Sequence, residues 1–99
     1  GWSNYGGGFE TASARKDQTG QVHLRGLITK SDGPPSPSFV AVLPVGYRPP
    51  SRLVFAVQTG EPNGVGRIDV SPTGEVVWTS GIAGETDYTS LTNVAFWPT

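Results

Sequence analysis

The chain has 99 residues, seven Lys and Arg against eight Asp and Glu, one His and no Cys. That length is about one domain, and the balanced charge leaves no basic face to displace counterions from nucleic acid. Without Cys there is no disulfide frame, thiolate metal site or Cys nucleophile, and no run nears the roughly 18 apolar residues that span a bilayer.

The chain opens at Gly1-Trp2 rather than Met, carries no signal-peptide pattern, and reads as a domain of a longer protein. Its 14 Gly and nine Pro fall at short intervals. The longest stretch free of both runs from Glu85 to Trp97, which leaves little room for helices of about 10–12 residues and favours an all-β chain. Seven runs read as strands. The first is Phe9 to Arg15, and the second is Gln21 to Thr29, with Val22, Leu24 and Ile28 on one face and His23 and Arg25 on the other. After a Ser/Pro/Gly-rich loop, Ser38 to Leu43 is the third, stopped at Pro44, which cannot donate to a ladder. Arg52 to Thr59, Val65 to Val70 and Glu75 to Ser80 follow, the last two joined by a tight turn at Ser71-Pro72-Thr73-Gly74. The seventh lies within Thr89 to Trp97, where Leu91 and Val94 have helical spacing but Val94 and Phe96 alternate; three Thr with Ser and Asn weaken a helix, so it is read as a strand. Seven to eight such strands imply an antiparallel β-sandwich of jelly-roll type.

Two strands break the one-face rule for sandwiches. In the third, Phe39, Ala41 and Leu43 oppose Val40 and Val42; in the fourth, Leu53, Phe55 and Val57 oppose Val54 and Ala56. Either a loop of the same chain covers the second face, or one strand is twisted slightly out of register, or another copy of the chain packs there. Contiguous apolar patches above a few hundred Å² are rare on monomers, so Val40, Val42, Val54 and Ala56 are taken as subunit-interface candidates. Arg48 and Arg52 bracket Pro49-Pro50-Ser51 and can pair across such a contact; otherwise they are exposed loop charges.

Catalytic patterns are sparse. His23 alternates with core residues on a strand, and no Gly-x-Ser-x-Gly elbow accompanies it. Asp69 and Glu75 flank one turn, where a glycosidase pair would have to sit in a cleft; they read as solvated hairpin ends. No calcium or phosphate loop is present, and neither metal nor cofactor is expected. The ten aromatics are the functional hint: Trp and Tyr anchor interfaces or stack on sugars, with core packing the default. Tyr47 and Tyr88 lie beside turns, and Trp78 shares a face with Val76, which favours core or subunit contact for it. These three are carried as receptor-binding candidates.

Several segments in order carry a resemblance. Trp2-Ser3-Asn4-Tyr5-Gly6 opens the chain; Lys16-Asp17 precedes Gly20-Gln21-Val22-His23-Leu24-Arg25-Gly26; then come Leu43-Pro44-Val45-Gly46-Tyr47-Arg48-Pro49-Pro50, Arg67-Ile68-Asp69-Val70 with Gly74-Glu75-Val76, and Tyr88 to Pro98. This order resembles the C-terminal head domains of tailed-bacteriophage tail fibres and baseplate receptor-binding proteins, over nearly the whole chain. The resemblance implies a β-sandwich at the tip of a fibrous stalk, homotrimeric, on the virion tail, and non-catalytic. Its partner would be a saccharide or protein receptor on the bacterial surface. Its rivals are a trimerisation or virion-decoration domain without a receptor, and a carbohydrate-binding accessory module or small polysaccharide hydrolase.

Overall fold

Gly and Pro punctuation with branched side chains between leaves only extended segments to form. The computed structural model describes residues 2–30, 37–60, 64–81 and 88–98, and these hold ten short strands and no helix. They are β1 (Ser3–Asn4), β2 (Ser13–Lys16), β3 (Val22–Arg25), β4 (Leu27–Thr29), β5 (Ser38–Val42), β6 (Leu53–Gln58), β7 (Val65–Val70), β8 (Glu75–Ser80), β9 (Thr89–Ser90) and β10 (Ala95–Phe96). Three antiparallel sheets result, ordered β1-β4-β9, β10-β3-β2 and β5-β8-β7-β6. The fold is all-β and sandwich-like.

Four of the seven expected runs stand close to their expected bounds, as β5 to β8. The others differ for identifiable reasons. Residues 9–12 lie outside any strand, and β2 begins only at Ser13. The run Gln21 to Thr29 is cut in two at Gly26, whose φ of +106° no β-branched residue would accept. A Cβ there would stand 2.5–2.6 Å from the backbone of Thr11 and Ala12. The chain therefore crosses from one sheet to the next at Gly26, and its carbonyl accepts the Leu91 amide at 2.9 Å. The last run is two strands around a turn closed by Val94 N–H donating to Leu91 O at 3.0 Å. That turn, not a helix, puts both Leu91 and Val94 inside.

The inner face of the four-stranded sheet supplies Val57, Ile68, Val70, Val76 and Trp78 to one core, met by Val22, Leu24, Ile28 and Phe96 from the other two sheets and by Leu91 and Val94 from the turn between β9 and β10. Ile68, Val22 and Val94 have no exposed surface. Burial of each such side chain contributes about 1.5–3 kcal/mol, the main favourable term for a chain this small. Two ring contacts tie the layers: Phe55 to Phe96 at 6.4 Å and Trp2 to Trp78 at 6.0 Å between centroids. Trp2 Nε1 also donates to the buried Ser38 hydroxyl at 3.1 Å.

Strand β5 corrects the expected alternation. Its register against β8 slips between Phe39 and Ala41, so Val40 is an extra residue in the ladder. A bulge of this kind puts two residues opposite one and re-aims the side chains beyond it. Val40 accordingly turns inward and packs against the core, while Phe39 is 55% and Val42 53% exposed. Leu43 is buried although Phe39, with which it was expected to share a face, is outside.

Candidate binding surfaces

The outer face of the four-stranded sheet is set by register. Phe39 pairs with Val77, Val77 with Asp69, and Asp69 with Val54, forming one row across all four strands. Flanking rows place Val42 beside Glu75, and Ala56 beside Arg67. Val54 is 58% exposed and Ala56 is exposed too. Of the proposed interface residues, then, the sheet brings Val42, Val54 and Ala56 to one face. Val40 is not among them: the bulge moves it inside. Arg48 is elsewhere, in the connection between β5 and β6, where its Nε donates to the Leu43 carbonyl at 2.9 Å.

In the middle of this apolar row sits a carboxylate. Asp69 is 1% exposed, not the solvated hairpin end expected of it. Arg67, two residues earlier on the same strand face, donates through Nε to Oδ1 at 2.8 Å and through a terminal nitrogen to Oδ2 at 3.0 Å. Arg52 reaches from the start of β6 to Oδ2 through Nε at 3.0 Å and a terminal nitrogen at 2.8 Å. The Arg67 bonds first, and the Arg52 bonds with them, hold the Asp69 carboxyl below the usual carboxylate range against the opposing effect of burial. The two guanidinium groups remain half exposed and roof the carboxylate. Glu75 lies on β8 opposite Val42, so the two acids do not face each other across the hairpin.

A second cluster organises the turn before β3. Asp17 Oδ1 accepts from the Thr19 hydroxyl at 2.6 Å and from the amides of Thr19 and Gln21. Its Oδ2 lies 2.9 Å from His23 Nε2. The Thr19 hydroxyl and then the His23 ring hold this carboxyl far below its ordinary value. His23 is thereby engaged in bracing a turn. Among the described residues, no group of three or more His, Cys, Asp or Glu is placed to hold a metal ion, and no helix is long and apolar enough to cross a membrane.

The receptor-binding candidates separate. Trp78 is 5% exposed in the core and presents no face to a ligand, a correction that follows from its pairing with Ser38 and Ile68 on the inner side of β8. Tyr88 is half buried in an aromatic trio with Tyr5 and Phe9, at 5.3 and 6.4 Å between centroids. Tyr47 is half buried against the core, with Lys16 Nζ 4.9 Å above its ring. Beside it opens a groove of about 530 Å³ whose walls include Lys16, Arg48 and Trp97. Trp97 is 51% exposed and was not among the candidates, although alternation with the inward Phe96 already placed it outside. A smaller apolar cleft of about 320 Å³ lies where the edge strands β1, β2 and β5 meet, floored by Leu24, Val40, Leu43 and Val76.

No protein-family model matches the chain, and neither a curated protein nor a solved structure does.

Proposed function

We propose that this domain is a non-catalytic attachment tip, a homotrimeric head of the bacteriophage tail-fibre type that binds a saccharide on the bacterial surface from the virion tail. The observation that carries it is the outward face of the four-stranded sheet. Phe39, Val42 and Val54 are each more than half exposed there, around a buried, doubly clamped Asp69. Four strands about 4.8 Å apart and six residues of about 3.3 Å give a face of roughly 19 by 20 Å. The exposed apolar side chains share that face with the guanidinium roof and Glu75, and an exposed apolar cluster rimmed by polar groups is a usual mark of an interaction surface.

The face also has two unlike halves. On the β6–β7 side, two Arg share one Asp, leaving an excess of one positive charge beside Val54 and Ala56. On the β5–β8 side, Glu75 lies among Phe39, Val42 and Val77. Unlike halves suit head-to-tail packing, which closes into a ring when the rotation allows. Three copies would then bury the apolar residues, face Glu75 toward the neighbour's guanidinium roof, and multiply weak single-site binding through avidity.

The test is mass in solution by light scattering, with Val54→Asp as the variant and labelled domain applied to bacterial cells as the functional arm. The expected result is a trimer for the wild type, a folded single copy for Val54→Asp, and loss of cell attachment on conversion to the single copy. A monomeric wild type, or attachment indifferent to the substitution, would overturn the reading.

A further inference from the structure

We infer that the groove between the Lys16–Gly20 turn, the Pro44–Arg48 turn and the end of β10 is a binding site for an anionic saccharide, a sugar ring bearing a carboxylate or phosphate. This rests on the attachment reading above and names the ligand class it leaves open. Three features of different kinds meet there. The first is Trp97, 51% exposed, its neighbour Phe96 being buried. An indole face is electron-rich, and the C–H face of a pyranose is apolar and weakly positive, so the two stack. The second is a pair of cations, Lys16 and Arg48, in one wall set. Arg48 is held in place through Nε, which donates to the Leu43 carbonyl, and a Cβ at Gly74 would strike that Nε at 2.6 Å. Lys16 is steadied over the Tyr47 ring at 4.9 Å. A cation already ordered loses little freedom on binding an anion.

The third feature is that, among the described residues, none that lines the groove is acidic. The carboxylate next to Lys16 in the chain, Asp17, is turned to other work: both its oxygens are taken up by Thr19, Gln21 and His23. The two cations thus act on whatever enters, and Thr19 is among the lining residues, its hydroxyl proton given to Asp17 and its oxygen left to accept from a ring hydroxyl. A volume of about 530 Å³ falls in the range of roughly 300–1,000 Å³ usual for ligand sites, and the open shape admits an internal residue of a polymer. Nucleic acid would need a broader basic surface than a chain of net charge −1 provides. An acidic peptide would satisfy the cations but would leave the Trp97 face without a flat partner.

Three tryptophans give three indole N–H signals in a nitrogen-correlated NMR spectrum, and the one missing from Trp97→Phe identifies Trp97. The isolated 99-residue domain is titrated with a β-1,4-linked glucuronate oligosaccharide, a glycerol-phosphate oligomer, the neutral β-1,4-linked glucose oligosaccharide and an oligoglutamate peptide. The expected result is a saturable shift of the Trp97 indole signal, with the buried Trp78 signal unmoved. The glucuronate oligomer binds at least about 10-fold tighter than the neutral one, Lys16→Gln weakens it by roughly 5-fold or more in that signal, Trp97→Ala weakens it by as much in calorimetric titration, which needs no indole signal, and added salt weakens it further. The glycerol-phosphate arm separates a pure anion requirement from one that also needs a sugar ring.

Equal binding of acidic and neutral oligosaccharides, tightest binding by oligoglutamate or glycerol phosphate, or an unmoved Trp97 signal at about 10 mM ligand would overturn the assignment; that concentration covers the weak end of single-site affinities. Both variants are checked for an unchanged melting temperature. Cell attachment by the trimer distinguishes the two failures. If Trp97→Ala attaches as well as the wild type, this site falls and the attachment reading stands; if the wild type attaches to no cells, both fall.

Discussion

Replacing Asp69 with Asn keeps the side-chain shape and removes the charge from beneath two guanidinium groups. The structure gives four N–H···O contacts of 2.8–3.0 Å to that carboxylate. One of its two oxygens becomes an amide nitrogen, so at least one contact turns from donor–acceptor to donor–donor, and the rest lose their charge assistance. Hydrogen bonds to a charged group contribute about 1.5–3 kcal/mol each, and breaking a buried pair costs about 3–5 kcal/mol. Both Arg side chains are half exposed, at 58% and 50%, so water recovers part of the loss, and the expected cost is about 2–3 kcal/mol. At about 4–5 °C per kcal/mol for a domain of this size, the melting temperature falls by roughly 8–15 °C. Thermal and urea unfolding at one fixed protein concentration measure it, because any oligomer makes the midpoint concentration-dependent. The sign with pH follows from the lowered carboxyl. Its folded value lies below the unfolded one, so its contribution is whole above the ordinary carboxylate range and is lost as pH falls through the folded value. The gap between wild type and variant therefore narrows on acidification. A loss under about 0.5 kcal/mol at neutral pH, or a gap that widens in acid, would refute the clamp as a stabilising unit.

Gly26→Ala meets both a φ of +106° and backbone atoms 2.5–2.6 Å from the new Cβ, neither of which can yield; the expected loss is about 3 kcal/mol or more by chemical denaturation. Gly20→Ala, at φ +91° with open space around its Cβ, is the control and costs only the backbone strain, about 1 kcal/mol. Asp17→Ala removes a carboxylate held low by Thr19 and His23, so the variant melts below the wild type at neutral pH and the two converge as pH falls below the ordinary carboxylate range, measured as melting temperature against pH.

Local features were readable from the chain because they need only short-range chemistry. The Ser71–Gly74 turn forms where Pro and Gly invite it, with Gly74 N–H donating to Ser71 O at 2.9 Å and Gly74 at φ +91°. Parity assigned Val54 and Ala56 to the outer side of β6 because that strand runs against β7 without a slip from Leu53 to Gln58. Parity failed in β5, where the bulge at Val40 carries no residue signature; only the ladder against β8 reveals it. Gly26 was visible as a lone Gly inside a strand pattern, a usual mark of a bulge or close approach, yet the backbone it approaches belongs to residues 11 and 12. Arg67 and Asp69 share a strand face at i and i+2, a signal for half of the clamp that the reading of Asp69 as a solvated hairpin end passes over. The other half depends on Leu53 lying opposite Val70, which brings Arg52 alongside. The groove at Trp97 joins three segments that are far apart in the chain, and composition holds no trace of it.

The clamp and the apolar row belong to one design problem. A sheet face carrying only Phe39, Val42, Val54, Ala56 and Val77 would be sticky in any register and would invite disordered association. Interrupting it with a bare carboxylate would cost several kcal/mol of desolvation. Two Arg roofing Asp69 remove that cost within the chain and still leave charge at the surface, half exposed on each guanidinium. In the proposed trimer a neighbour docks only where its own groups meet that roof, with apolar area supplying the affinity and the fixed charges selecting the register. The proposed saccharide site divides the work in the same way, with Trp97 for area and the steadied Lys16 and Arg48 for selection. On both surfaces the charges are fixed by contacts inside the chain before any partner arrives. In the proposed attachment tip, specificity of this kind survives the weakness of each single contact, and repetition around the trimer axis raises affinity without loosening it.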